Sequence, residues 1–235
     1  AKPGKSWLQP EPLGTVLIIG AWNYPLQLVL AGYAAAIAAG NCAILKPSEL
    51  SPTTSNLIAR LIPQYMDTDC VRVVEGAVPE TTALLELPFD HILYTGNGKV
   101  GRIIMAAAAK HLTPVTLELG GKSPCVVLPD ANLETAARRI AWGKFTNAGQ
   151  TCIAPDYILT DASTEAKLVP LFDKVIREMF GDDAKASESY GRIVNERHFD
   201  RLTALLDSGK VEIGGQSDRA AKYIAPTLLS GVTRD

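Results

Sequence analysis

Thr15-Val16-Leu17-Ile18-Ile19-Gly20, then an alanine-rich run from Leu26 to Ala39, then Cys42-Ala43-Ile44-Leu45-Lys46 is the stretch that decides the fold. The first segment is a short, β-branched apolar run closed by glycine, which reads as a buried parallel strand. The alanine-rich run reads as a helix that stops at Gly40-Asn41, a favourable helix-ending pair. Cys42 to Lys46 is a second strand. Strand, helix and strand in that order are one unit of a parallel sheet.

Outward from that unit the pattern repeats. Ser51-Pro52 opens a helix to about Tyr65, with serine placed to cap and proline in the first turn. Strands are expected over 71–74, 91–95 and 115–119, and helices over 79–87 and 100–111. The class is therefore α/β: a doubly wound, mostly parallel, Rossmann-like sheet over residues 1–119. After Gly120-Gly121 the pattern restarts as part of a second α/β lobe, residues 120–235. It holds strands over 124–128, 157–160, 211–213 and 226–229, and helices over 133–148, 165–180 and 196–206.

The chain has 235 residues, 47% of them hydrophobic, with 23 basic against 25 acidic side chains. That balance leaves no electrostatic footprint for nucleic acid. The longest apolar stretch, Leu26 to Ala39, is interrupted by Gln27, Gly32 and Tyr33 and is shorter than the ~20 residues of a membrane span. No membrane contact is expected within this stretch. No secretory signal is visible in residues 1–12. Cys42, Cys70, Cys125 and Cys152 lack CxxC spacing, so free thiols in the cytoplasm are the expectation. Cys42, Cys70 and Cys125 read as core residues. His91, His111 and His198 do not cluster, and no metal site is expected. A serine-hydrolase reading fails because no G-x-S-x-G occurs.

Two segments carry chemistry. Asn147-Ala148-Gly149-Gln150-Thr151-Cys152 delivers a cysteine after a small-residue, amide-rich approach, and Leu117-Glu118-Leu119-Gly120-Gly121-Lys122 delivers a carboxylate 34 residues earlier. A thiol captures a carbonyl carbon, and a carboxylate activates water against the resulting thioester. Taken alone, Cys152 reads as a structural cysteine, Glu118 as a solvated strand end and Asn23 as a turn residue. Glu118 inside an apolar run, against a glycine pair, is expected to be partly desolvated. Thr95-Gly96-Asn97-Gly98-Lys99-Val100-Gly101 joins a strand to a helix whose first N–H groups can cradle a pyrophosphate, although the glycine pattern alone is weak.

These segments, with Ala21-Trp22-Asn23-Tyr24-Pro25 and Lys46-Pro47-Ser48-Glu49, resemble the NAD(P)-dependent aldehyde dehydrogenase family, in particular its class 3, fatty aldehyde dehydrogenase-like branch. The resemblance runs from about Pro10 to the last residue. It implies oxidation of an aldehyde, aliphatic of medium or long chain or aromatic, to a carboxylate. It makes Cys152 the nucleophile, Glu118 the base for the hydrolytic water and Asn23 an oxyanion donor. Trp22, Lys46, Ser48, Glu49, Gly96, Asn97, Gly101, Leu119 and Gly120 become the cofactor-binding residues. A carboxylate at Glu49 favours NAD over NADP, although the branch accepts both. Asn97 stands where the family usually has serine or threonine, and is expected to donate a hydrogen bond to phosphate. The family's chain is longer at both ends and dimeric, so this sequence reads as a fragment. Two alternatives are a CoA-acylating aldehyde dehydrogenase and a non-catalytic nucleotide-binding fragment.

Overall fold

A computed structural model describes residues 4–233. The chain divides into two compact units, one ending at Gly120 and the other beginning at Gly121.

The first unit alternates strand and helix throughout: β1 (Thr15–Ile19), α1 (Gln27–Ala38), β2 (Cys42–Lys46), α2 (Pro52–Tyr65), β3 (Val71–Val73), α3 (Val78–Leu85), β4 (His91–Gly96), α4 (Gly98–Ala108) and β5 (Val115–Leu119). All five strands are parallel, in the order β3-β2-β1-β4-β5. The doubly wound sheet read from the sequence is thus present. Each strand alternates its side chains between two faces, and both faces are covered. Val16, Ile18, Ala43, Leu45 and Val71 pack with Val29 and Tyr33 of α1 and Ile58 of α2. Leu17, Ile19, Ile92 and Tyr94 pack on the opposite face with Leu84 and Leu85 of α3 and Ile104 and Ala108 of α4. A helix-interior glycine costs ~1 kcal/mol against alanine. Gly32 is kept because α1 lies hard on the sheet: a Cβ there would sit 2.6 Å from Leu93 Cδ2.

The second unit contains β6 (Cys125–Val126), α5 (Leu133–Phe145), β7 (Ile158–Leu159), α6 (Ala162–Phe180), α7 (Glu196–Thr203), β8 (Lys210–Ile213), β9 (Ser217–Asp218), β10 (Tyr223–Ile224) and β11 (Leu228–Ser230). β6 and β7 pair in parallel, while β8–β11 and β9–β10 are antiparallel pairs. Its core joins Val127 to Ala137, Ile140 and Ala141 of α5 and Leu168, Phe172 and Val175 of α6.

Several expectations need correction. Ser51 does not cap α2; its hydroxyl donates to the Trp22 carbonyl at 2.9 Å and ties two loops together instead. The helix expected over 133–148 ends at Phe145, because a 3-10 turn over Thr146–Gly149 follows with Asn147 and Ala148 left-handed, φ 54° and 52°. α6 begins before residue 165, since Asp161 accepts hydrogen bonds from the Ser163 and Thr164 amides and caps it. The β9–β10 hairpin was not anticipated. Cys70 is exposed, and Cys42 and Cys125 are half-buried, so none of the three is a fully buried core residue.

Candidate active site

In a doubly wound sheet, ligands sit beyond the carboxyl ends of the strands where strand order reverses. Here the chain runs from β1 out to β3 and then returns to β4 beside β1. The loop after β1 carries Trp22 and Asn23, the turn after β4 carries Asn97, and β5 ends in Glu118 and Leu119 with Gly120 following. Parallel register sets these positions: Ile19 lies opposite Lys46, Thr95 opposite Glu118, and Gly96 opposite Leu119. Every candidate residue before Gly121 except Gly101 therefore falls at one edge of one sheet or in the loops that follow it.

The loop after β1 bends at Asn23-Tyr24-Pro25 and feeds α1. A shallow hollow of about 440 Å³ is lined by Asn23, Tyr24, Pro25, Leu26, Gln27 and Leu30. It is an apolar groove beside a polar amide.

Lys46 is fully buried at the end of β2. Its Nζ donates to the Pro47 carbonyl at 2.6 Å and lies 3.8 Å from a Glu49 carboxylate oxygen. Burial pulls its pKa down, and the carboxylates of Glu49, Glu80 and Glu75 oppose that pull. Ser48 is buried and accepts from the Leu50 amide at 3.3 Å, whereas Glu49 is exposed. Glu80 reaches back to accept from the Ala77 amide at 2.7 Å at the start of α3, and Glu75 accepts from the Ser55 hydroxyl at 2.8 Å. A lysine thus sits among three carboxylates at the edge where a ribose would lie.

Asn97 caps α4: its side-chain oxygen accepts from the Val100 amide at 3.0 Å. That commits the oxygen to the helix and leaves the NH2 group as the donor that a phosphate could meet. Gly101 is buried one turn into α4, where a Cβ would stand 3.4 Å from Leu119 Cδ2 and 3.5 Å from Leu117 Cδ1. Those are ordinary contact distances, and they seat Gly101 against β5. Gly96 is required by the Tyr94 ring, which folds back over it while the Tyr94 hydroxyl donates to the Asn97 carbonyl at 3.3 Å. Glu118 is exposed in this structure, so the desolvation expected of it is absent.

In the second unit Cys152 is exposed on a turn in which the Ala154 amide donates to the Thr151 carbonyl at 3.1 Å. Three features fix that turn. Gln150 is a clamp: its Nε2 donates to the carbonyls of Asn147 at 3.0 Å and Arg192 at 2.9 Å, while its Oε1 accepts from the Val194 amide at 2.9 Å. The segment it grips is itself anchored. Tyr190 is buried, packs edge-on against Phe180 and Tyr223, and donates its hydroxyl to the Ile224 carbonyl at 3.1 Å. Burial pushes the Tyr190 phenol far above its ordinary pKa. Second, a Cβ at Gly121 would come within 3.2 Å of the Cys152 carbonyl oxygen, so only glycine fits there without displacing the turn. Third, Asp156 holds Lys122 at 2.8 Å and Lys144 at 3.3 Å. Its partial burial would raise the carboxyl pKa, but the two lysines hold it below the ordinary value. The Gln150 clamp was missed by sequence reasoning, because its partners lie 42 and 44 residues away.

Among the described residues no group of three His, Cys, Asp or Glu side chains could hold a metal ion. None of their helices is long and apolar enough to cross a membrane.

A sheet with the strand reversal that binds dinucleotides, carried in one chain with an exposed, clamped cysteine, defines a class of α/β protein. The chain belongs to the aldehyde dehydrogenase family, whose profile matches residues 2–235. It is 57% identical over 228 residues to mouse aldehyde dehydrogenase family 3 member A2, a match covering 97% of this chain and 47% of that protein. It is 58% identical to the mouse "aldehyde dehydrogenase, dimeric NADP-preferring", covering 96% of this chain and 50% of that protein. Among solved structures, Staphylococcus aureus AldH in a substrate-bound state superposes with a TM-score of 0.91 at 50% identity, over 96% of this chain and 50% of that one. A mutant aldehyde dehydrogenase C from Pseudomonas syringae, complexed with NAD+ and octanal, gives 0.86 at 33% identity over 95% of this chain and 49% of that one. The chain spans about half the length of the curated relatives it matches.

Proposed function

We propose that this chain supplies the cofactor edge and the nucleophile of an enzyme that oxidises aldehydes to carboxylates with a nicotinamide dinucleotide. The observation that carries the reading is the exposed Cys152 turn, gripped by Gln150, in a chain of this family. Cys152 Sγ attacks the aldehyde carbon to give a thiohemiacetal. The Asn23 side-chain amide donates to the oxyanion, an interaction of a kind that contributes ~2.7–4 kcal/mol to the chemical step. The bound dinucleotide supplies the hydride acceptor. Glu118 then takes a proton from the water that hydrolyses the Cys152 thioester.

The cofactor fits the edge residues. Lys46 and Glu49 carry the ammonium and carboxylate that suit ribose hydroxyls, and the start of α4 offers backbone N–H groups to a pyrophosphate. Trp22, Ser48, Gly96, Asn97, Leu119 and Gly120 line the same strand ends. Glu49, Glu75 and Glu80 around Lys46 form a negative field that disfavours a 2′-phosphate, so NAD is the preferred cofactor, against the preference in the name of the second mouse relative. The apolar hollow beside Asn23 suits an aliphatic or aromatic aldehyde, in keeping with the octanal bound to the Pseudomonas neighbour. Four free cysteines suit a reducing, cytoplasmic setting. The full protein works as a homodimer, as one relative's name suggests.

Replacing Cys152 with alanine in the full enzyme should remove NADH formation from a medium-chain aldehyde, by more than about a thousand-fold, while NAD+ still binds. Retained turnover would refute the assignment. Product appearing only as an acyl-CoA when CoA is added would instead favour the acylating alternative.

A further inference from the structure

Two thiols lie together away from the chemistry just described. β2 and β3 run parallel with Ala43 opposite Val71, and the Ala43 amide donates to the Cys70 carbonyl at 2.8 Å. One step back along that register, Cys42 stands opposite Cys70. Side chains opposite one another on adjacent parallel strands share a face, and neighbouring strands lie ~4.8 Å apart. Disulfides need Cα atoms within about 4.4–6.8 Å, so this pair meets the distance requirement without backbone movement. The Cys70 thiol donates to Asp67 Oδ2 at 3.9 Å, and Cys42 is the neighbour that raises its pKa most. Both are free, with Cys70 exposed and Cys42 half-buried. The proposed mechanism uses neither.

We propose that Cys42 and Cys70 are a redox-active pair that a hydroperoxide closes to a disulfide, latching the edge strand β3 to β2. The exposed Cys70 thiolate attacks the peroxide oxygen; the O–O bond breaks, and the alcohol or water leaves. Cys70 becomes a sulfenic acid. Cys42 sulfur then displaces hydroxide from it, the S–S bond forms, and the Cys42 proton leaves with the hydroxide as water. Two thiols lose two electrons, and the hydroperoxide gains them.

The surroundings set the speed. The Cys70 thiol is pushed up by Cys42 first and then by the Asp67 carboxylate, with smaller contributions from its limited burial and Asp69. The Tyr33 phenol pKa is raised by its burial first and then by Cys70. Little thiolate is present near neutrality, so the pair closes under sustained oxidation rather than in competition with fast peroxide scavengers. The latch also sits at the amino end of β2, four residues from Lys46, about 13 Å along a strand. It therefore stiffens the sheet edge and spares the cofactor edge.

The test treats the full enzyme, in a Cys152→Ser background that removes the exposed nucleophile from the readout, with graded hydrogen peroxide. Non-reducing peptide mass spectrometry and a thermal melt follow, each with and without dithiothreitol. The expected result is a Cys42–Cys70 linked peptide two hydrogens lighter than the free pair, with a reversible Tm rise of about 5 °C. Both effects should vanish in Cys70→Ser and in Cys42→Ser. Accumulation of sulfinic or sulfonic acid at Cys70 without the linked peptide would overturn the proposal, as would linkage that leaves Tm and its response to dithiothreitol unchanged.

Discussion

The cofactor edge and the cysteine turn are held by different means. The first is a product of register: once β1, β2, β4 and β5 align in parallel, Lys46, Gly96, Glu118 and Leu119 arrive at one edge together. The second is held by side chains from distant sequence, with Gln150 bridging to Arg192 and Val194. Repetition positions the first, and a few specific bonds position the second. Damage should therefore spread through the sheet in one case and stay local in the other.

The largest effect is expected from breaking the frame. Leu17 on the central strand β1 is completely buried against α3 and α4. Leu17→Ala should cost ~3 kcal/mol, read as a lowered denaturant midpoint with weakened NAD+ binding. A loss under about 1 kcal/mol would mean that register is not what carries the cofactor edge.

Gln150→Ala tests the other half. It removes three hydrogen bonds and leaves the Val194 amide and Arg192 carbonyl to find water, for about 2 kcal/mol. Turnover should drop roughly 30-fold as the nucleophile loses its position, with NAD+ affinity unchanged. An equal loss of cofactor affinity would erase the distinction between the two regions.

Smaller effects sharpen it. Asp156 has its folded pKa held below the ordinary 3.8 by Lys122 and Lys144. That contribution is present above pH 3.8 and is lost as pH falls through the folded value. Solvent screening at the exposed Lys122 and the half-buried Lys144 limits it to about 0.5 kcal/mol. Asp156→Asn should lose that much at pH 7 and lose less than the parent between pH 4 and pH 2, by about the same amount; chemical melts across that range would check it. Ala148 pays for its left-handed φ of 52°. Ala148→Gly should raise stability by ~0.5 kcal/mol, and a destabilised variant would mean that the turn is not strained.

The same contrast explains what could be read from sequence. The sheet was legible because apolar runs, glycine stops and alanine-rich helices repeat with the periods of strand and helix. The position of Glu118 followed from that, but its exposure did not, since exposure depends on what packs against the edge strand. Ser51 has the sequence of a cap, yet the Trp22 carbonyl wins its hydroxyl, a partner 29 residues away. The early end of α5 at Phe145 was hidden because Thr146-Asn147-Ala148 carries no proline. The turn runs close to Gly191, where an added Cβ would stand 3.5 Å from the Ala148 Cβ. Gln150 was visible only as part of a motif. Cys42 and Cys70 became neighbours only once β2 and β3 were aligned.

One measurement goes straight to the chemistry. Full enzyme carrying Glu118→Gln, which leaves the thiol intact and removes the base, is mixed with octanal and NAD+, quenched within the first turnover and digested for mass spectrometry. A stoichiometric burst of NADH with an octanoyl group on the Cys152 peptide is the expected result. Steady turnover without an acyl group on Cys152 would contradict a mechanism in which Cys152 is the nucleophile and Glu118 releases the product.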